Sequence, residues 1–206
     1  MKLNEEKYEI IYRKTEEFKQ KLGIPKEIKL VLYSDSDYPL DGNNPRGTTV
    51  ELTQGILDLL GTENEHVLFF MLAHELIHVK YKDTSFKRAT WVIMSECGND
   101  KANALICLME MRANVLASSL VGLSESEIRD GQAFLQRVNN TSEGKASFVK
   151  GYPDRQFIAD YCVRFKDFTE VIVDEILMDF KKIMNVNTTD FSEKVKTIFF
   201  KKCYPK

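Results

Sequence analysis

The chain lacks most of the features that assign a function at first reading. Among its 206 residues the formal net charge is only −2, and no long run of one sign occurs. A nucleic-acid or anionic-membrane partner usually requires a concentrated basic surface, so neither partner is expected. The four cysteines form no C-x-x-C pair and no regular spacing. This pattern favours reduced thiols in a cytosolic protein over disulfides, and it argues against cysteine ligands for a metal.

Long hydrophobic runs are also missing. The first residues, MKLNEEKYEIIYRK, include acidic side chains and lack the apolar core of a signal peptide. The richest apolar stretch, HVLFFMLAHELIHV, is interrupted by His and Glu and is too short to span a bilayer. We therefore expect a soluble, cytoplasmic protein without a membrane segment.

The sequence does contain a succession of helical patterns around two short strand-like runs. Its length suits one domain, residues 1–206, with a helical C-terminal extension from about 150 to 206. The β-rich runs at 27–34 and 48–52 predict strands, and polar composition predicts loops at 35–47 and 139–147. Apolar periodicity predicts helices at 4–22, 54–60, 62–82, 101–121, 124–138, 153–164, 168–184 and 190–202. The predicted fold class is α+β, rich in helix, with a small N-terminal sheet.

Two of these helices begin with a capping-box pattern. Thr62 is followed three residues later by Glu65, and Ser124 is followed by Glu127. In this motif the hydroxyl and the carboxylate each accept a hydrogen bond from the other residue's backbone N–H. From Thr62 to about Lys82 the side chains are apolar almost all round, which predicts a central and buried helix.

Histidine is scarce, and its placement is the most informative feature of the chain. Two of the three histidines, His74 and His78, lie in AHELIHVKYKDT with Glu75 after the first. Residues four apart share one face of a helix, so both imidazoles can reach the same ion. Glu75 lies about 100° further round, where its carboxylate misses the ion but can reach a water bound to it. This H-E-x-x-H spacing is typical of zinc hydrolases, in which the carboxylate acts as the general base.

The alternative is a helix with two hydrogen-bonded core histidines. A buried helix is a costly place for two imidazoles and a carboxylate unless something binds them, which favours a site for one zinc ion per chain. Catalytic zinc usually has three protein ligands and an open position. A metzincin would have histidine at position 84, which is Thr84, and His66 lies too far along the same helix to share the ion.

The third ligand is predicted on a second helix. Glu110 lies inside an apolar run, where a lone carboxylate is costly. Small residues on its face would let the two helices pack closely, and Asn114 could orient a ligand. The alternatives are an ion pair between Glu110 and Arg112, or ligation by Glu96 or Asp100.

Two zinc peptidase families resemble this chain over roughly residues 46–120. TTVELTQGILDLLGTENEHVLFFMLAHELIHVKYKDT is similar to the core of HtpX-like gluzincins, which have a strand, a T-x-G-[IL]-L-x-L-L turn and helix, and H-E-L-x-H-x-x-x-x-D. EMRAN is similar to their third-ligand motif, E-x-x-A-[DN]. This resemblance implies a zincin-like metallopeptidase domain. In that domain zinc would be held by His74, His78 and Glu110, with Glu75 as base and Asp83 and Asn114 in support.

The spacing of 32 residues from His78 to Glu110, with the pattern ExxANxxAxxL, looks more like the soluble ImmA/IrrE family of gluzincins. Those enzymes cleave helix-turn-helix repressors. The resemblance therefore implies a zinc metalloendopeptidase with a protein or peptide substrate, for which such a repressor is one candidate. The competing interpretation is a zinc-containing regulatory or interaction module without turnover. Glu75 argues against it, because a purely structural zinc site needs no base and has a fourth protein ligand.

Further residues have more open assignments. In KGYPDRQF, Tyr152 and Arg155 stand where HtpX-like chains have a His-Pro stretch followed by Arg, so either could stabilise an oxyanion. A tyrosine at a helix start and a surface arginine are the alternatives. The strand at 48–52 could offer its edge to an extended peptide or serve only as scaffold. The aromatic C-terminal helix is expected to pack on the domain rather than form a docking surface, and Trp91 with Phe86 is expected to cover the active-site helix.

Overall fold

A computed structural model describes residues 1–34, 37–84, 98–186 and 190–204. The predictions for Phe86, Trp91 and Glu96 lie outside these residues, as does Cys97. The helices are α1 (Glu9–Leu22), α2 (Gln54–Leu57), α3 (Glu65–Tyr81), α4 (Asn99–Val121), α5 (Glu125–Asn139), α6 (Lys145–Phe148), α7 (Arg155–Arg164), α8 (Glu170–Met184) and α9 (Phe191–Ile198). A π-helical turn follows α9 at Phe199–Cys203, and the strands are β1 (Lys29–Tyr33), β2 (Gly42–Arg46) and β3 (Thr49–Thr53). The prediction of a helix-rich α+β chain with a small N-terminal sheet is confirmed.

The sheet has the order β1-β3-β2, with β1 parallel and β2 antiparallel to β3. The prediction of a loop throughout 35–47 is therefore wrong at β2. The sequence GNNPR has little β propensity, and side-chain hydrogen bonds hold this hairpin instead. Asn44 Nδ2 donates to the carbonyls of Gly47 (3.2 Å) and Thr49 (2.7 Å). Pro45 is accommodated because β2 is an edge strand.

The position of β3 decides between the two interpretations of residues 48–52. β3 lies in the centre of the sheet with a strand on either side, so it is a scaffold strand and not a free edge. The edge strand beside α3 is β2. Gly42 allows this approach, because a Cβ there would lie only 2.8 Å from Met71 Cγ and 3.2 Å from Glu75 Cγ.

Helices α3 and α4 form the centre of the protein. Twelve of the 17 residues of α3 are buried, which confirms the predicted central helix. α3 packs more extensively on α4 than on any other described element. Ala113 and Ala117 on α4 are fully buried and add little bulk. Among the described residues α4 alone has the length and apolar composition of a membrane-spanning helix, and most of it is buried inside the protein.

The helix ends agree with the sequence in one case and differ in another. The Ser124–Glu127 capping box is confirmed, with both reciprocal hydrogen bonds present. The Thr62–Glu65 box is wrong, because α3 begins only at Glu65. Glu65 Oε1 instead accepts from the backbone N–H of Gly61 (2.9 Å), whose left-handed φ of 77° turns the chain there.

The C-terminal helices pack on the rest of the protein, as expected. α7 contacts α5 and α4, and α9 contacts α4 and α8. The predicted loop at 139–147 is shorter than expected, because α5 continues to Asn139 and the short helix α6 begins at Lys145. Pro153 precedes the cap of α7 instead of lying in its first turn, since Asp154 Oδ1 accepts from the Phe157 N–H (2.8 Å).

Candidate metal centre

Three potential ligand atoms converge where α3 crosses α4. The Nε2 atoms of His74 and His78 lie 3.0 Å apart, and Glu110 Oε2 lies 3.3 Å from the first and 3.5 Å from the second. Two atoms each about 2.1 Å from a tetrahedral zinc are roughly 3.4 Å apart. The triangle therefore has about the size that a zinc ion requires. Among the described residues, His74, His78 and Glu110 are the group whose ligand atoms lie close enough together to hold a metal ion.

The charges of the cluster also fit a divalent cation. Glu75, Asp83 and Glu110 are all less than 7% exposed, and Arg112 is the guanidinium fully buried beside them. With neutral histidines these four side chains together carry a net charge of −2. Buried charge is costly unless it is paired or coordinates a metal. A divalent ion at the triangle would balance the charge of this group.

The pKa of His78 shows the effect of the same carboxylates. Burial alone lowers this pKa, but Glu110, the hydrogen bond to Asp83, and Glu75 outweigh it and raise the pKa to about 9. The carboxylates therefore stabilise positive charge on the triangle. A proton can supply that charge, and so can a metal ion in the proton's place.

Glu75 lies beside the triangle without belonging to it. Its Oε1 is 3.8 Å from His74 Nε2, and its side chain borders the cavity in front of the cluster. The helical period accounts for this position, since adjacent residues on α3 are separated by about 100°. The expected division between two ligands and a neighbouring carboxylate is present.

Behind the triangle, Asp83 holds His78. His78 Nδ1 lies 2.8 Å from Asp83 Oδ2, so a proton on Nδ1 directs the lone pair of Nε2 towards Glu110. The chain returns to His78 because α3 ends at Tyr81 and Lys82 has a left-handed φ of 58°. Asp83 therefore contacts the His78 nitrogen that faces away from the triangle, which is the contact that a supporting residue would make.

Arg112 was expected as an alternative partner of Glu110, and the structure gives it a different one. Its Nη2 donates to both carboxylate oxygens of Asp83, at 2.5 and 2.6 Å. Sequence reasoning missed this pair. The signal was an arginine within the apolar run of α4, where a buried charge requires a counter-charge.

Asn114 contacts Glu110 through the backbone of that residue. Its Nδ2 donates to the backbone carbonyl of Glu110, one turn earlier on α4 (2.8 Å), and makes no hydrogen bond to a side chain of the triangle. Asn114 lines the cavity. Any support that it gives to Glu110 acts through the helix backbone.

A cavity of about 490 Å³ opens in front of the triangle. Edge strand β2 contributes Gly42 and its neighbours to the lining of this cavity, and α7 contributes Arg155 and Ile158. Thr84 Oγ1 donates to the Asn44 carbonyl (2.7 Å), which joins β2 to the segment after α3. The cavity thus connects the metal cluster with a strand edge.

Both candidate oxyanion donors line this cavity. Tyr152 lies at the rim, with about half of its surface exposed. Arg155 is half-buried, and its Nη1 donates to Gln132 Oε1 (3.2 Å). Burial lowers the pKa of Arg155 below its usual range, although the negative charges of Asp41 and Glu110 oppose the shift. Arg155 thus lines the cavity as a half-buried side chain that interacts with Glu110, and it is not fully exposed as a surface arginine would be.

Two other candidate ligands are separate from the cluster. His66 Nδ1 lies against the carbonyl of Glu63 (3.2 Å), and its ring packs beside Gly131. Asp100 lies in the exposed first turn of α4. Neither belongs to the metal-ligand group found among the described residues.

Comparison with known proteins adds no family name. The chain matches no protein-family model, and neither curated proteins nor solved structures give a significant match. The geometry and chemistry of the site therefore carry the functional assignment proposed below.

Proposed function

We propose that this chain is a zinc-dependent metalloendopeptidase of the gluzincin type, with His74, His78 and Glu110 as ligands. The observation that carries the proposal is the position of the Glu75 carboxylate, 3.8 Å from a ligand nitrogen and bordering the cavity. A site that only stores or senses a metal gains nothing from a buried carboxylate at that position.

The chain's own residues divide the chemistry between them. Zinc, when bound, would lower the pKa of water to about 7 and polarise the scissile carbonyl. Glu75 would accept the proton as water attacks the carbonyl carbon, and would then deliver it to the leaving amine. Arg155 or Tyr152, which line the same cavity, would donate to the oxyanion that forms.

The proposed substrate is an extended segment of protein or peptide. β2 lies at the sheet edge and borders the cavity, so a peptide could pair with it by β-addition. A cavity of about 490 Å³ has room for a few side chains beside the metal. Helix-turn-helix repressors are the first proteins to test, on the strength of the resemblance to ImmA/IrrE gluzincins.

The proposal is tested by replacing the base while keeping the metal. Wild type and Glu75→Gln, each loaded with one zinc per chain, would be incubated with a proteome-derived peptide library and with candidate repressors. New termini would be quantified by mass spectrometry. We expect Glu75→Gln to retain zinc by elemental analysis and to lose hydrolysis by about 10²–10⁴-fold, because the amide cannot accept a proton.

Equal hydrolysis by both forms would refute the role of Glu75. Zinc retained at full stoichiometry by a His78→Ala, Glu110→Ala double variant would refute the ligand set. If neither form cleaves any candidate but both bind one repressor tightly, the chain is the regulatory module instead of the peptidase.

A further inference from the structure

A continuous path of polar contacts runs from the metal cluster to the C-terminal turn. His78 Nδ1 contacts Asp83 Oδ2 (2.8 Å), and Asp83 receives two hydrogen bonds from Arg112 Nη2. Arg112 Nη1 then donates to the backbone carbonyl of Cys203. Three residues thus connect a metal ligand on α3 with the end of the described chain.

The guanidinium of Arg112 is enclosed by aromatic rings. Its Cζ lies 3.9 Å from the ring centroid of Tyr81, 5.4 Å from that of Phe199 and 5.7 Å from that of Tyr204. Tyr81 and Tyr204 are stacked with an interplanar angle of 14°. Two of the three rings belong to the C-terminal turn, so the turn supplies most of the enclosure.

The backbone of the C-terminal turn has a rare conformation that brings the Cys203 carbonyl to Arg112. Residues Phe199–Cys203 form a π-helical turn, closed by a hydrogen bond from Tyr204 N to the Phe199 carbonyl (2.8 Å). Single π-turns are rare and recur at functional sites. Here the turn presents the Cys203 carbonyl to Arg112, and Tyr204 OH anchors it by donating to the Phe168 carbonyl (2.9 Å).

We propose that Arg112 is a positioning residue for the metal centre and that the docked C-terminal turn holds it in place. Asp83 fixes the imidazole of His78, Arg112 fixes Asp83, and the Cys203 carbonyl with the aromatic enclosure fixes Arg112. The affinity of the site for zinc therefore depends on a distant segment of the chain, since Cys203 lies 91 positions after Arg112. The inference rests on the metal site of the proposed function and is independent of its peptidase activity.

Zinc affinity of the full-length chain is the direct test. Arg112→Lys keeps the charge but cannot donate to Asp83 and Cys203 with the same planar geometry. We expect it to weaken zinc binding by about 10–100-fold, as loss of an outer-shell partner typically does. Tyr204→Ala removes both one ring of the enclosure and the hydroxyl that anchors the turn, so it should also weaken zinc binding relative to wild type. Tyr204→Phe keeps the ring and loses only the hydroxyl, so it should weaken zinc binding less than Tyr204→Ala does.

The cobalt-loaded protein gives a second readout, because the visible spectrum of Co²⁺ follows its ligand geometry. Arg112→Lys and Tyr204→Ala should shift the spectrum. Leu177→Ala, a change to a buried α8 residue outside these contacts, is the control for lost stability and should leave affinity and spectrum unchanged.

Unchanged affinity and spectrum in both folded test variants would overturn the inference. Equal loss of affinity in Leu177→Ala would also overturn it, because global stability would then explain the effect. If Arg112→Lys does not fold, Tyr204→Ala against Tyr204→Phe decides the question. If the chain hydrolyses nothing, the affinities still test the inference, so its failure and that of the proposed function are distinguishable.

Discussion

The two nitrogens of His78 face two different environments. On the open side, Nε2 lies with Glu110 and His74 beside the cavity, where carboxylates outnumber buried cations. On the closed side, Nδ1 meets Asp83, whose charge is matched by the fully buried guanidinium of Arg112. The open side could accept a metal ion, whereas the Asp83–Arg112 ion pair of the closed side lies within the chain.

This difference separates structure from function within one small region. Charges that are paired internally, as on the closed side, need no ligand and serve to hold their neighbours. Carboxylates gathered beside a cavity, as on the open side, favour a ligand of opposite sign. Both arrangements occur along α4, since Glu110 and Arg112 are two residues apart and point to different sides of the helix.

The largest expected effect comes from breaking the closed side. Asp83→Asn leaves the Arg112 guanidinium buried without a counter-charge, which should lower the free energy of unfolding of the metal-free protein by about 3–5 kcal/mol. Urea denaturation measures this change. Glu75→Gln on the open side is the matched variant and should cost less than half as much, because that side chain borders the cavity. Similar losses in the two variants would show that the sides do not differ.

Completing the open side with metal should produce the next largest effect. Zinc that binds only the folded state stabilises it by about 2.7 kcal/mol when free zinc is a hundredfold above Kd. Thermal unfolding with zinc and with chelator should therefore give a higher Tm for the zinc form. Glu110→Gln should remove most of this difference. If the wild type has the same Tm with zinc and with chelator, although elemental analysis confirms that it binds zinc, then α3 and α4 do not share the ion.

Alkaline pH should have the smallest effect on the free energy of unfolding. It tests two buried thiols, Cys107 near Glu110 and Cys203 near Arg112. Burial raises the pKa of Cys107, with Glu110 adding to the shift, and burial raises the pKa of Cys203 to about 12 although Arg112 opposes it. Between the unfolded thiol pKa of roughly 9 and the higher folded values, the unfolded state binds fewer protons. Stability should therefore hold below pH 9 and fall above it, by about 1.4 kcal/mol per pH unit for a fully buried thiol.

Urea denaturation at several pH values between 8 and 11 measures this slope. Cys107→Ala should make the slope shallower by about one proton if the variant folds. A stability that rises between pH 9 and 11 would contradict the burial of these thiols.

The sequence alone determined the arrangement on α3 and singled out Glu110 as the leading candidate for a third ligand. His74, Glu75 and His78 are separated by steps along one helix, and helical geometry fixes their relative directions whatever surrounds them. Glu110 could be found because a carboxylate inside an apolar helical run requires a partner. The general fold class followed from periodicity in the same way, since periodicity is a local property of the chain.

Only the tertiary structure decided which groups meet from distant parts of the chain. Strand β2 forms from GNNPR because β3 is available to pair with it, against the local propensity of its residues. Arg112 pairs with Asp83, 29 positions away, and with Cys203, 91 positions away, instead of with its near neighbour Glu110. A charged side chain can satisfy its requirement with any suitable partner in reach, so the sequence shows the need for a partner, and only the packing of α3, α4 and the C-terminal turn selects it.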